Sequence, residues 1–259
     1  MKFAIIVSKK DLAGINIKNN LLELYKFSKK NNHYEFDKNI SLHITEKDSI
    51  YCEDIDKEIE ADVFIFATRH KSEKGTPSLS VHIPGNWGKA EYGGKDCTLC
   101  VAPASLLKAM FIELNEQGKH LDHEITLEAV HHGPLIKKPI MFIEIGSSEK
   151  EWVKKDLGKI IATTIMQTLT RPIKKQKAVF AIGGGHYPRT FNKFLLKTEY
   201  AIGQICQKYM LEQLNEDLLN QAMTKCTEKV ELVVLDKKGL GQYKQQVINL
   251  LKKKKIKII

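Results

Sequence analysis

The sequence predicts an α/β protein with a mixed, largely parallel central sheet and helices on both faces. Three observations carry that prediction. Apolar, strand-like runs recur along the whole chain. Several are continuous rather than alternating, as strands covered on both faces require. Amphipathic helical patterns lie between them, the order of an α/β fold.

The first strand is Phe3–Val7. Residues 18–60 are more polar, with hairpin-like pieces at 33–36 (HYEF) and 41–52 (SLHITEKDSIYC). They are expected to form a peripheral subregion of one domain spanning 1–259. Val63–Ala67 and Leu79–Ile83 are the next strands. Pro103–Gln117 is a helix, with Pro near its start and Gly118 just past its end. Strands follow at Ile125–Val130 and Ile140–Ile145. Ser148–Leu169 opens on a capping-box pattern, Ser148 to Glu151. Its apolar residues Trp152, Leu157, Ile160, Ile161, Ile165 and Leu169 recur at roughly helical spacing. Ala178–Ile182 and Val230–Leu235 are the last strands, and Gly241–Lys255 a closing amphipathic helix.

Composition narrows the function classes. At 259 residues, with 42% hydrophobic and 28% charged residues, the chain can bury a core without disulfides or a structural metal. The net charge of +10 favours an anionic partner such as RNA. Part of it is local, in Lys252–Lys255 with Lys257 and in Arg171, Lys174, Lys175 and Lys177; a solvated face explains such runs equally well. The cysteine count, five, is odd, which together with an N-terminal apolar run too short for a signal peptide points to a reducing cytoplasm. Cys97 and Cys100 form a C-x-x-C without a second pair, so they are expected in the core rather than on zinc. No stretch approaches the ~20 apolar residues of a membrane span; a soluble, cytoplasmic protein is expected.

Histidines follow the predicted strands closely. Val63–Ala67 runs into Thr68-Arg69-His70, then a polar loop with Lys71, Ser72, Lys74, Gly75 and Thr76. Leu79–Ile83 contains His82. Ile125–Val130 ends in His131-His132, Ile140–Ile145 carries Glu144, and Ala178–Ile182 ends in Gly183-Gly184-Gly185-His186. Open α/β sheets bind ligands at the carboxyl ends of their strands. Histidines and carboxylates meeting there suit a metal, or acid–base work near neutral pH. A glycine turn flanked by Arg69, Lys71, Lys74 and Arg189 suits a phosphate or an oxyanion. Tyr187 and Trp87 are candidates to stack on a base. His33, His43, His120 and His123 read as surface. The chain has no Rossmann fingerprint, Walker sequence, H-E-x-x-H or G-x-S-x-G.

Four segments, in order, resemble the archaeal and plant type of D-aminoacyl-tRNA deacylase: 68–94 (TRHKSEKGTPSLSVHIPGNWGKAEYGG), 128–134 (EAVHHGP), 142–152 (FIEIGSSEKEW) and 181–191 (AIGGGHYPRTF). The resemblance continues from the amino-terminal FAIIVSKKDLAG to VELVVLDKKGLG. It implies hydrolysis of the ester joining a D-amino acid to the 3′ adenosine of tRNA, in a monomer. It also implies zinc, up to two ions per chain, and a fold like nucleoside phosphorylases and peptidyl-tRNA hydrolases. With the residue reading above, His70, Lys71, Thr76 and His186 are expected to be catalytic. Arg69, Ser72, Gly75, Gly183, Gly184, Gly185, Tyr187 and Arg189 are expected to bind substrate. His82, His131, His132 and Glu144 are the expected metal ligands. A metal-free route, with a histidine orienting water, stays open. So do two other classes: a nucleoside phosphorylase or hydrolase, and a non-catalytic tRNA-binding protein.

Overall fold

The computed structural model describes residues 1–73 and 75–259. Lys74, counted in the polar loop above, lies outside the described residues. Strand β1 (Phe3–Ser8) leads into helix α1 (Leu12–Leu24), capped by the Asp11 carboxylate, which accepts the Gly14 N–H at 2.9 Å. Strands β2 (Ser28–Lys29), β3 (His33–Glu35) and β4 (Ile40–Thr45) form the antiparallel hairpin the sequence suggests. Helix α2 (Ile55–Glu58) precedes β5 (Val63–Arg69) and β6 (Ser78–His82). A small ribbon, β7 (Gly85–Asn86) with β8 (Thr98–Leu99), leads to α3 (Ala104–Gly118). Then come β9 (Glu124–Leu127), β10 (Ile140–Gly146), α4 (Glu149–Trp152) and α5 (Lys155–Leu169). The chain closes with β11 (Lys177–Ile182), α6 (Arg189–Lys197), β12 (Tyr200–Cys206), α7 (Glu216–Thr224), β13 (Val230–Leu235), α8 (Lys244–Lys253) and β14 (Lys257–Ile258).

These elements build two principal sheets where the sequence suggests one. The larger has eight strands in the order β2-β3-β4-β1-β5-β10-β6-β9; the smaller has four, β12-β11-β13-β14. Every pairing in the smaller sheet is parallel. In the larger, β4, β1, β5 and β10 run parallel, but β6 lies antiparallel to β10 and carries β9 with it. One face of the large sheet (Ile5, Val7, Ile65, Ile143) packs on Leu21, Phe111 and Ile161 of α1, α3 and α5. Its other face (Ala4, Ile6, Phe64, Phe66, Phe142) packs on Cys52, Ile55, Cys100 and Ile136, from α2 and loops rather than a second helical layer. Both faces are covered, which is why these strands read as continuous apolar runs.

Several local expectations change. Residues 18–60 are not peripheral: Leu21 is fully buried in α1, and β4 pairs with β1. The helix expected at Ser148–Leu169 breaks after Trp152. Lys154 is extended, and the Asn16 side chain donates to the freed carbonyls of Trp152 and Lys154 at 2.9 and 2.7 Å. Ser148 makes no side-chain cap, its carbonyl rather than its hydroxyl taking the Glu151 N–H at 2.9 Å, and the Glu151 side chain is held by His123 and Lys154. His123 is therefore largely buried rather than on the surface. Trp87 is buried against Phe180, so it offers no face to a base. Cys100 is in the core, whereas Cys97 is exposed. No helix among the described residues is long and apolar enough to cross a membrane.

Candidate active site

Four adjacent strands bring the chemistry together. In the register of β5, β10, β6 and β9, Thr68, Glu144, Ser80 and Thr126 stand side by side on one face. His82 lies one row further along, opposite Phe142. His70 and Glu128 are the first residues past β5 and β9, pinned by N–H bonds to Ile145 O (2.9 Å) and Val81 O (3.1 Å). The expected gathering of parallel carboxyl ends is thus only half the arrangement. His82 and Glu128 come from strands running the opposite way, and they meet Glu144 inside the sheet rather than beyond its rim.

Glu128 is the centre. His70 Nδ1 lies 3.1 Å and His186 Nε2 3.5 Å from its Oε2. His70 Nδ1 is also 3.6 Å from Glu144 Oε2, and His82 Nδ1 is 4.0 Å from the same atom. Although His70 is close, its N–H is off the line of a well-directed bond, and neither Glu128 oxygen has another partner. Burial alone would raise the Glu128 pKa; His70 chiefly, with His82 and His186, outweighs it and holds the group at about 2. Glu144 goes the other way. Burial and the Glu128 charge push its pKa well above the usual carboxylate range, against the bond donated by Thr68 Oγ1 at 3.0 Å. The two neighbouring carboxyls are thus driven apart, Glu128 towards the ionised form and Glu144 towards the protonated one.

The second shell of contacts fixes tautomers. His132 Nδ1 donates to Gly133 O at 2.5 Å, so its Nε2 accepts from His82 Nε2, 3.0 Å away. His82 Nδ1 is then a bare lone pair, buried and without a partner. Burial keeps both rings neutral, lowering the His132 pKa to about 4 and that of His82 well below its ordinary value. On the other side, the Tyr187 hydroxyl lies 3.0 Å from His70 Nε2 and 3.3 Å from Ser78 Oγ. Burial, then Glu128, raises the Tyr187 pKa to about 12, so it stays a donor. His186 is 46% exposed and is the cluster's opening to solvent. Burial lowers its pKa as well.

The glycine turn closes the site from the smaller sheet. Gly183 and Gly184 have φ of +106° and +79°, a backbone that glycine adopts without strain. Gly183 donates to Cys206 O at 2.8 Å, which removes its N–H from any oxyanion role. A Cβ on Gly185 would meet nothing within 4 Å, so that residue faces open space.

The other expected residues fall outside the cluster. His131 approaches only Gln207, at 3.4 Å. Arg69 turns away to Lys10 O and Asp48, and Arg189 is engaged by Glu124 through two contacts of 2.9 and 3.2 Å. Lys71, Gly75 and Thr76 are exposed, Thr76 accepting from Ser147 Oγ, and Ser72 is tied to Ser147 O. Two residues escape the sequence reading. Glu128 sits in an apolar run, and only its alternation with Thr126 marks a polar face. Gln207 is 3% exposed with a buried amide oxygen that has no partner, and follows a strand that the sequence did not reveal.

Among the described residues, two sets of donor atoms lie close enough to hold one ion: His70, Glu128 and His186, and His82, Glu128 and Glu144. Imidazole nitrogen with carboxylate oxygen suits zinc. The orphaned Glu128 oxygens and His82 Nδ1 are what a cation would satisfy. The 730 Å³ cavity lined by Phe3, Phe36, Val63 and Leu106 lies at the amino ends of β1 and β5, away from this chemistry.

Comparison with known proteins identifies the family. Residues 57–259 match the family model described as D-aminoacyl-tRNA deacylase. Proteins of that name from Pyrococcus furiosus and Methanocaldococcus jannaschii are 39% and 36% identical, covering 91% and 92% of this chain and 90% and 91% of theirs. The crystal structure of AF0625, a conserved protein of unknown function, superposes with a TM-score of 0.91 at 28% identity, covering 99% of this chain and 94% of that one. The chain belongs to the D-aminoacyl-tRNA deacylase family.

Proposed function

We propose that this chain hydrolyses the ester linking a D-amino acid to tRNA, the reaction its family is named for, with a zinc ion held by His82, Glu128 and Glu144. The observation that carries the metal is the ionised Glu128 carboxylate, fully buried without a well-directed partner among three imidazoles. A buried carboxylate whose oxygens accept no well-directed bond keeps lone pairs that a cation would take up. When bound, zinc supplies a polarised oxygen, as water near its pKa at neutral pH or as substrate carbonyl. His132 is a positioning residue: it holds the His82 tautomer that offers Nδ1.

The chain's own groups do the proton transfers. Neutral, half-exposed His186 accepts the proton of the attacking water, and Glu128 stabilises the imidazolium that results. His186 then returns that proton to the departing ribose oxygen, while His70, between Glu128 and the Tyr187 hydroxyl, holds the carboxylate in place. With the Gly183 N–H engaged, the open Gly185 is the residue of the turn assigned to the acyl oxyanion. A second ion would fall on His70, Glu128 and His186 and would displace this acid–base pair.

The test is deacylation of D-tyrosyl-tRNA against L-tyrosyl-tRNA, before and after chelation and zinc add-back, with zinc counted per chain. D-selective release that dies on chelation and returns with one zinc supports the whole reading. D-selective release indifferent to chelation retires the metal. A nucleoside phosphorylase would instead cleave free nucleosides with phosphate, and a binding protein would show no turnover.

A further inference from the structure

Three aromatic side chains stand exposed among the described residues: Tyr51, Tyr92 and Tyr209, at 48, 54 and 66%. Backbone contacts tie their segments to the surroundings of the cluster. Tyr209 follows Lys208, whose N–H donates to Gly184 O in the glycine turn at 2.9 Å. The Tyr92 carbonyl accepts the N–H of Gly133, next to His132, at 2.9 Å. Tyr51 packs on Gly93. The segments of Tyr92 and Tyr209 abut, since a Cβ on Gly88 would lie 3.9 Å from Met210 Sδ.

Exposed charges of both signs border these rings, Glu91 and Glu212 among them. Lys89 and Lys208 beside the tyrosines are exposed and make no ion pair with any described residue. The same holds for Lys237 and Lys238, in the loop whose Asp236 and Gly239 press on the glycine turn. Lys208 Nζ lies 4.7 Å from the Tyr209 ring centre. Of the basic runs conspicuous in the sequence, Arg171, Lys174, Lys253 and Lys254 are paired with Glu113, Glu199 and Glu216, while Lys175, Lys177, Lys252 and Lys255 are exposed without an ion pair to any described residue. Exposed rings interleaved with free cations are the equipment of single-strand recognition: bases stack and phosphates meet ammonium groups.

We propose that Tyr92 and Tyr209, with Lys89 and Lys208 beside them, bind the single-stranded 3′ end of the tRNA substrate. The rings stack on its terminal bases, and the lysines meet its phosphates. The ester is thereby delivered to the cluster between them. This assignment rests on the deacylase reading and replaces the role that Trp87 is too buried to play.

The experiment has a kinetic arm and a binding arm. Tyr92→Ala, Tyr209→Ala and the conservative Tyr209→Phe are compared with the wild type on D-tyrosyl-tRNA. The same proteins are titrated with a fluorescein-labelled single-stranded RNA hexamer ending in CCA, and with a blunt RNA hairpin. The alanine variants should raise KM about tenfold, keep kcat within about twofold, and lose about tenfold in hexamer affinity. Tyr209→Phe should keep wild-type affinity. Lys208→Ala should lower the slope of log affinity against log salt by about 0.7. Unchanged KM and hexamer affinity in both alanine variants, with an active wild type, overturns the proposal. So does equal loss on hexamer and hairpin, which marks an unspecific basic face. A wild type that binds the hexamer through these tyrosines but releases no D-tyrosine refutes the deacylase reading and leaves the RNA site standing.

Discussion

In the four-stranded sheet, the elements that reach the site all lie beyond the carboxyl ends of its strands. The glycine turn and His186 follow β11, Gln207 follows β12, and Asp236 follows β13. In the eight-stranded sheet, Glu144, Ser80 and His82 lie within the strands, and β6 and β9 run against β5 and β10. The parallel sheet therefore supplies a mouth of loops, whereas the mixed sheet supplies a wall of buried titratable groups. Reversing two strands lets carboxylate and imidazole groups enter one row of the sheet from both ends. The wall should hold the reaction's electrostatics, and the mouth its access.

The comparison breaks most directly at Glu128. Glu128→Gln keeps the shape and removes the charge. Single-turnover deacylation should fall by about 10³-fold, within the range of a lost acid–base partner. Thermal unfolding at neutral pH should fall, because the imidazoles that hold the folded carboxyl pKa at about 2 lose their anion. A variant within tenfold of wild type would place the chemistry elsewhere. His186→Ala, at the mouth, should cost about 10²-fold with zinc content unchanged. Zinc lost together with rate would move His186 from the mouth into the wall.

The glycine turn separates architecture from access at smaller cost. Gly183→Ala puts a Cβ at positive φ and 2.9 Å from Asp236 O, so it should destabilise by about 2 kcal/mol in urea unfolding. Gly185→Ala has open space and should leave stability within about 0.5 kcal/mol. Its KM should nevertheless rise, since the new methyl points where substrate enters. Equal stability loss in the two variants would make the whole turn structural.

How much of this was readable beforehand follows the same division. His70, His82, His132, Glu144 and His186 were legible because each follows or ends an apolar run, and runs are a local signal. Strand direction is not local: nothing in Leu79–Ile83 says that it runs against Ile140–Ile145. Glu128 therefore passed as one more residue of a strand, although its partners arrive from four other segments. Helix α1 was missed for a related reason. Its Asn20 looks solvent-facing, yet it is 2% exposed and bonded to Asn16. Arg69 and Arg189 were conspicuous in the sequence because charge is visible there, while the carboxylates that engage them are not. Zinc spacing offered no guide, because the candidate donors come from separate strands.

The smallest expected effect contrasts the wall's histidine pair with a second pair at the hairpin of the same sheet. His33 and His43 stack at 4.9 Å with 10° between planes, and His43 Nε2 meets Ser41 Oγ at 2.9 Å. Burial, reinforced by His33 and opposed by Glu35, lowers the His43 pKa from 6.5 to about 4. The folded pKa lies below the unfolded one, so the unfolded chain takes up more protons as the medium acidifies. The stability due to a neutral His43 is complete above pH 6.5 and is lost as pH falls towards 4. His82 and His132 act in the same direction, so acid destabilisation is shared. His43→Gln keeps a polar side chain and removes the titration. Between pH 7.5 and 4.5, in urea unfolding, it should lose about 1 kcal/mol less than wild type after allowance for solvent screening. Parallel losses in both proteins would assign the acid sensitivity to the wall alone, because only there are the imidazoles sealed from water.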